Sequence, residues 1–265
     1  MTEPKQRGGG DPGGIKVERR GPVFLIGLDR PKKLNGLSPK MLTELAEAYS
    51  AFESDTATRC AVLYGEGGNM TAGLDLALVD IDEEFFPAGT VDPFGRRDPV
   101  RTKPVVCAVE GICFTAGIEL MLAADIVVAG RDTRFSQLEV KRGLVATGGA
   151  TIRMVQSAGW GNAMAVLLTG DEFDAATALR FGFVQEVVAP GAALARAIEI
   201  AQTIAAQAPL AVKATIEAAR QALFEGPAAA IEGDKARWAA LAKTADVAEG
   251  VASFKERRPP VYRGR

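Results

Sequence analysis

The sequence predicts an α/β protein continued by a helical C-terminal region, and three observations carry that prediction. The apolar runs CAVLYG at 60–65, VVCAVEG at 105–111 and IVVAG at 126–130 alternate with helix-like segments. Runs this short, without polar alternation, suit strands buried on both faces, as in parallel sheets covered by helices. After Pro190 the chain turns alanine-rich and strand formers become sparse. The expected organisation is a disordered leader over residues 1–14, an α/β core over 15–190 and a helical region over 191–265.

The elements follow in order. The leader, MTEPKQRGGGDPGG, is polar and glycine-rich and has no apolar stretch of a signal peptide. Residues 15–28 read as two short strands around Gly21-Pro22. Ser38 is a helix N-cap with Pro39 in the first helical position. Leu42, Leu45, Tyr49 and Phe52 then recur at helical spacing, so residues 39–53 form an amphipathic helix. A buried strand over 60–65 enters a glycine-rich turn. Residues 80–102 carry charges and prolines and read as a partly helical excursion that shapes the pocket. The strand 105–111 leads into a turn and a helix, and 126–130 is another strand. Residues 150–180 look helical and 182–188 looks like the last strand. Residues 191–245 give about three helices, broken at Pro209 and near Gly226-Pro227. Alanine-rich helices bury little area each, so this region is expected to pack on the core, on another subunit, or on both.

Composition narrows the function. The 265 residues suffice for a substantial core, and 48% hydrophobic with 24% charged residues is ordinary for a globular protein. Lys plus Arg numbers 31 against 33 Asp plus Glu, a net charge of −2, which points to no nucleic-acid partner. No window reaches the roughly 18 to 20 apolar residues of a membrane span. The chain has no histidine, which excludes a Ser-His-Asp triad, a Cys-His pair and a His-ligated metal. Proton transfer falls to Asp, Glu, Lys, Tyr or Cys. Cys60, Cys107 and Cys113 sit in apolar surroundings without a close pair and read as buried free thiols. These features fit a cytoplasmic protein, with no metal implied.

Two segments share one design. AVLYGEGGNMTAGLDL and VVCAVEGICFTAGIEL each run strand, glycine turn, Thr-Ala-Gly, apolar residue, acid, leucine. A strand-turn-helix of this kind exposes backbone N–H groups that suit an anion or a developing oxyanion. Glycine turns beside strands are also common as plain structure, and the residues alone leave both readings open.

Six ordered segments carry a family resemblance. They are LDRPKKLNGLSPKM (28–41), GGNMTAGLDL (67–76), KPVVCAVEGICFTAGIELMLAADIVVA (103–129), FSQLEVKRGLVATGGATIRM (135–154), LLTGDEFDAATALRFGFVQEVV (167–188) and EGVASFKERRPPVY (249–262). Over about residues 15–262 the chain resembles the enoyl-CoA hydratase/isomerase (crotonase) family. The resemblance implies a spiral of ββα repeats with a helical C-terminal trimerisation region, assembled as a homotrimer or as a hexamer of two trimers. It implies an acyl-CoA substrate, coenzyme A being part of the thioester and no separate cofactor being needed. The implied reaction is addition of water to trans-2-enoyl-CoA to give 3-hydroxyacyl-CoA, in fatty-acid or related acyl-CoA metabolism. An enoyl-CoA isomerase and a non-catalytic acyl-CoA-binding member are the alternatives.

Carried over by resemblance, the thioester oxygen lies between the backbone N–H groups of Leu74 and Ala116, and Glu119 and Glu139 are the two catalytic carboxylates. Coenzyme A contacts fall on Lys32, Leu34, Asn35, Gly36, Met70 and Ala72, mostly through backbone; Lys33 adds a second cation beside Lys32. The chain departs from the family pattern at Ala116, usually glycine, at Leu138 and Ala146, often proline, and at Glu110, often asparagine. These departures are expected to reshape the acyl pocket.

Overall fold

The computed structural model describes residues 11–79 and 84–265. Most of the expected leader, residues 1–10, and residues 80–83 of the excursion lie outside the described residues. The strands are β1 (Gly14–Arg20), β2 (Val23–Asp29), β3 (Cys60–Gly65), β4 (Val105–Val109), β5 (Ile112–Phe114), β6 (Ile126–Gly130), β7 (Arg134–Ser136), β8 (Phe173–Asp174) and β9 (Glu186–Val188). The helices are α1 (Pro39–Ser54), α2 (Ala116–Ala123), α3 (Ala150–Ala158), α4 (Trp160–Leu167), α5 (Ala175–Arg180), α6 (Ala193–Ala205), α7 (Pro209–Glu225), α8 (Pro227–Leu241) and α9 (Ala245–Glu256).

Two sheets organise the core. A six-stranded sheet has the order β1-β2-β3-β4-β6-β9, and a three-stranded sheet the order β5-β7-β8. In the large sheet only the β1–β2 hairpin is antiparallel; the remaining pairs are parallel. Parallel neighbours need long crossovers, and helices supply them here. The consecutive pairs β4–β5 and β6–β7 each send one strand to each sheet, and helical structure follows each pair. The result is a spiral of strand-strand-helix units.

Each face of the large sheet is covered differently. Phe24, Ile26 and Leu28 pack with Leu42, Leu45, Tyr49 and Phe52 of α1 on one side. Ser38 caps α1 by accepting from Met41 N at 3.2 Å, with Pro39 at its start, as its sequence predicts. On the other side Val23, Leu25, Val62, Val106 and Val128 meet Ala193, Ala197, Ala201 and Ala205. Alanines at four-residue spacing form one small-residue stripe, so α6 lies flat on the sheet. The alanine-rich region thus begins by closing the core.

Five elements differ from expectation, one being β8, since Phe173–Asp174 pairs with β7 inside residues 150–180 that read as helical. Residues 112–114 form a strand where a turn was expected; three residues are too few for a periodic signal. Only Glu186–Val188 of 182–188 is strand, because 181–184 turn back on α5 through bonds such as Phe183 N to Ala178 O. α9 adds a helix beyond those expected, capped by Thr244. The described part of the excursion contains no helix; Asp92 instead holds Phe94 N and Arg96 N in a tight turn, with Val91 and Phe94 in the core. All three cysteines are free and buried, and burial pushes the Cys60 thiol up to about 12. Among the described residues no helix is long and apolar enough to cross a membrane.

Candidate active site

Two glycine turns are stitched together beside the small sheet. After β3 the chain folds back so tightly that a Cβ on Gly65 would lie 1.9 Å from Asn69 O. Thr71 then pairs with Cys113 of β5, with Thr71 N donating to Ile112 O and Phe114 N to Thr71 O. Gly73 has φ +96°, and its Cβ would fall 1.7 Å from Thr115 Oγ1. Thr115 is itself held at φ 49° and ψ −114°, with its N–H on Ser136 O. This close approach sets Leu74 beside the start of α2. Leu37 bonds to Gly73 O and Asp75 N on either side of Leu74, and so leaves the Leu74 N–H out of that pairing. Ala116 is the first residue of α2, where helix geometry leaves the N–H without an intrahelical acceptor. Its methyl group is buried, so this side chain packs into the wall of the turn.

Glu119 sits in the first turn of α2 and is only 5% exposed. One carboxylate oxygen accepts from Ala150 N at 3.2 Å, and the Gly148 N–H also favours the charged form. Gly148 makes room for it: a Cβ there would lie 2.4 Å from Glu119 Oε2. Burial nevertheless dominates and, with help from the negative charge of Glu139, pushes the Glu119 carboxyl up to about 7. Glu139 opens a 3-10 turn over residues 139–142. Gln137 Nε2 donates to its Oε1 at 2.9 Å, while Oε2 is buried with no protein partner. Burial also raises the Glu139 carboxyl above the usual range, against the Gln137 hydrogen bond. A pair of shielded carboxyls, one poised near neutrality and one with an unspent oxygen, is suited to moving a proton through a single water.

The sequence profile of the enoyl-CoA hydratase/isomerase family matches residues 18–265. The chain belongs to that family. A probable enoyl-CoA hydratase/isomerase from Mycobacterium abscessus has a solved structure that matches with a TM-score of 0.92 and 48% identity, over 95% of this chain and 98% of that one. An enoyl-CoA hydratase from Mycobacterium tuberculosis matches in structure with a TM-score of 0.89 and 36% identity, over 96% of this chain and all of that one. A curated enoyl-CoA hydratase of Mycobacterium tuberculosis is 34% identical over 258 residues, covering 94% of this chain and 96% of the relative. The strand-strand-helix spiral is therefore the crotonase-like fold, with the helical C-terminal region that the family uses for trimerisation. At the level the family sets, the chemistry is hydratase or isomerase chemistry on acyl-CoA.

In this hydratase/isomerase chain the loop over 30–37 supplies the residues expected to meet coenzyme A. Lys32 and Lys33 are exposed, as is Leu34 in a left-handed conformation. The Asn35 side chain is spent inside the protein: Oδ1 accepts from Arg30 N, and Nδ2 donates to Glu66 O and Asn69 O. Gly36 and the Met70 side chain are buried, and Ala72 N donates to Leu34 O. Asn35 and Met70 are both fully enclosed: Asn35 N donates to Arg30 O, Asn35 O accepts from Thr71 Oγ1, and Met70 N donates to Glu110 O. Glu110, one of the departures, has a different use: its Oε1 accepts from Ala193 N at 3.0 Å and so caps α6.

Sequence reasoning missed three side chains here. Arg30, 2% exposed, bonds Gly36 O and pairs with Asp75 at 2.8 Å, fixing the residues around Leu74. Gln137 orients Glu139, and its only sequence signal is its place two residues before that acid. Arg153 donates to Gly148 O at 3.1 Å and to Phe94 O at 2.6 Å, clamping the turn that feeds N–H groups to Glu119 onto the excursion. Arg153→Met is expected to lower kcat about tenfold and to move the pH-rate limb of Glu119 upward, since the charged form loses support. Arg153→Lys should restore part of both. An unmoved pH profile in the Met variant would show that Arg153 serves only packing.

Proposed function

We propose that this chain is an enoyl-CoA hydratase that adds water across trans-2-enoyl-CoA to give 3-hydroxyacyl-CoA, working in the cytoplasm in fatty-acid or related acyl-CoA metabolism. The observation that carries the reading is the pair Glu119 and Glu139: a buried carboxyl pushed up to about 7 by burial and by the charge of Glu139, and a half-buried carboxyl raised by burial with one enclosed oxygen unpartnered. The Leu74 and Ala116 N–H groups polarise the thioester carbonyl and hold the charge that develops on its oxygen. Water is oriented between the carboxyls; its oxygen bonds to the β carbon as one of its protons passes to a carboxylate, the C=C electrons move toward the thioester oxygen, and the other carboxyl, protonated, delivers its proton to the α carbon. Coenzyme A lies along the loop of Lys32, Leu34, Asn35 and Gly36 and the segment of Met70 and Ala72. The test is loss of the conjugated thioester absorbance across a panel of 2-enoyl-CoA chain lengths. Turnover of 3-enoyl-CoA alone replaces the reading with an isomerase; tight acyl-CoA binding without any turnover replaces it with a non-catalytic member.

The same reading includes a homotrimer, alone or stacked as a hexamer. Its support is the exposed apolar surface of the C-terminal helices: Phe224, Ile231, Trp238 and Phe254 are each more than 60% exposed. Several large apolar groups exposed on one helical region favour an interface there. Trp238→Asp with Phe254→Asp is expected to yield monomers in analytical ultracentrifugation. Truncation after Pro190 also strips α6 from the sheet and is expected to aggregate. A monomeric parent in the same ultracentrifugation run, or an active, well-behaved monomer from the truncation, rejects the assembly.

A further inference from the structure

A cavity of about 920 Å³ opens between the described part of the excursion, the C-terminal end of α2, α3 and the α7–α8 pair. Leu74, Ala116, Glu119 and Glu139 do not line it, but it borders the helix that carries Glu119. Leu122 and Ala123 line it, and they follow Glu119 by three and four residues, one turn further along the same face of α2. Arg96 lines it too, and its guanidinium donates to Thr147 O, beside the Gly148 N–H that supports Glu119. The charge of Arg96 is felt at the Glu119 carboxyl.

The lining combines an apolar wall, with Val100, Leu122, Ile216 and Phe224, with an excess of positive charge. Seven cationic side chains face four acidic ones. Arg97, Arg101 and Arg237 are matched by carboxylates, and Arg153 is committed to backbone carbonyls. Arg96, Lys213 and Arg220 remain without an ion-pair partner among the described residues, Arg96 and Arg220 each giving one donor to a backbone carbonyl, Thr147 O and Arg101 O. Like charges gathered in a cleft repel one another and focus a positive field that an anion relieves. Arg96 is exposed, so its remaining donors can take a carboxylate, and Lys213 and Arg220 line the same cavity.

Building on the acyl-CoA reading above, we propose that the acyl group accepted here ends in an acid, the substrate being a coenzyme A thioester of a dicarboxylic acid whose free carboxylate binds Arg96. The thioester end sets the reaction, and the far end sets which acyl group is chosen.

The test compares suberyl-CoA with octanoyl-CoA, which differ in the terminal acid, by calorimetry on the intact protein at low and high salt. Suberyl-CoA is expected to bind about tenfold tighter at low salt, with the advantage shrinking as salt rises. Arg96→Met should bring the ratio of the two affinities close to one, and Arg96→Lys should keep part of it. Octanoyl-CoA binding as tightly as suberyl-CoA overturns the inference and leaves the hydratase reading standing. Failure of both to bind overturns the acyl-CoA reading and this inference together. A ratio unchanged in Arg96→Met removes Arg96 from the role.

Discussion

Glu119→Gln is expected to lower hydration of a 2-enoyl-CoA by about 10² to 10⁴, and Glu139→Gln by a similar factor. Glutamine keeps the size and the acceptor that Ala150 N uses, so the fold and the turn at 147–149 survive the first change. What disappears is the capacity to take and return a proton. The two losses should not multiply in the double variant, because in the proposed mechanism both carboxyls serve one water. Acyl-CoA affinity should persist in both, since Leu74, Ala116 and the loop over 30–37 are untouched. Steady-state hydration with 2-enoyl-CoA, alongside isomerisation of 3-enoyl-CoA, separates the outcomes. Isomerisation that depends only on Glu139 moves the chain to the isomerases. Full turnover in both single variants removes the carboxyls from the mechanism.

The same substitution carries a stability signature. The Glu119 carboxyl is raised from an ordinary 4.5 to about 7 in the folded protein. The folded state therefore holds a proton that the unfolded state gives up. Its contribution is fully present below pH 4.5 and is lost as pH rises through 7. At pH 8 the parent bears a charge in a buried place, a cost of roughly 3 kcal/mol. Glu119→Gln, inactive, should then be the more stable protein at pH 8, with the gap closing toward pH 5. Denaturant titrations at the two pH values read this directly. A gap that does not change with pH would mean that burial does not hold the proton.

Much of the architecture was legible because it depends on local pattern. The buried strands over 60–65, 105–109 and 126–130 announce themselves as apolar runs, and Ser38-Pro39 marks the start of α1. The small sheet was not legible, because β5, β7 and β8 have three residues or fewer and acquire their pairing only from distant segments. The site was legible only in part, for a similar reason. Two repeated glycine turns suggested N–H donors, yet nothing local distinguishes Glu119 or Glu139 from surface acids. Their burial comes from Ala150 and Gly148, some thirty residues beyond Glu119, and from Gln137. Glu110 illustrates the converse. A charge closing a strand looked like a change in the pocket, but its partner is the N-terminus of α6, more than eighty residues away. Arg153 likewise reaches back to Phe94 O and Gly95 O, 59 and 58 positions earlier in the sequence.

Gly73→Ala is expected to cost about 10² to 10³ in kcat/KM, the scale of losing an oxyanion donor. The new Cβ would land 1.7 Å from Thr115 Oγ1 and 3.3 Å from Phe114 O, so the turn before Leu74 and the turn before Ala116 must separate. The left-handed φ of +96° adds strain for any residue with a side chain. Both N–H groups stay on the chain but lose their common focus, which is what a donor pair needs. Leu74→Ala offers the contrast: it trims a side chain, leaves the N–H in place and should do modest harm. Ala116→Gly should be tolerated and widen the acyl range. Thr115→Ala added to Gly73→Ala removes the nearest atom of the clash and should recover part of the loss, although Thr115 Cβ, at 3.1 Å, still crowds the site. Thermal melts of each variant identify any global unfolding, and acyl-CoA affinity reports whether the binding loop is intact. Full kcat/KM in Gly73→Ala would sink the placement of the oxyanion site between these two turns.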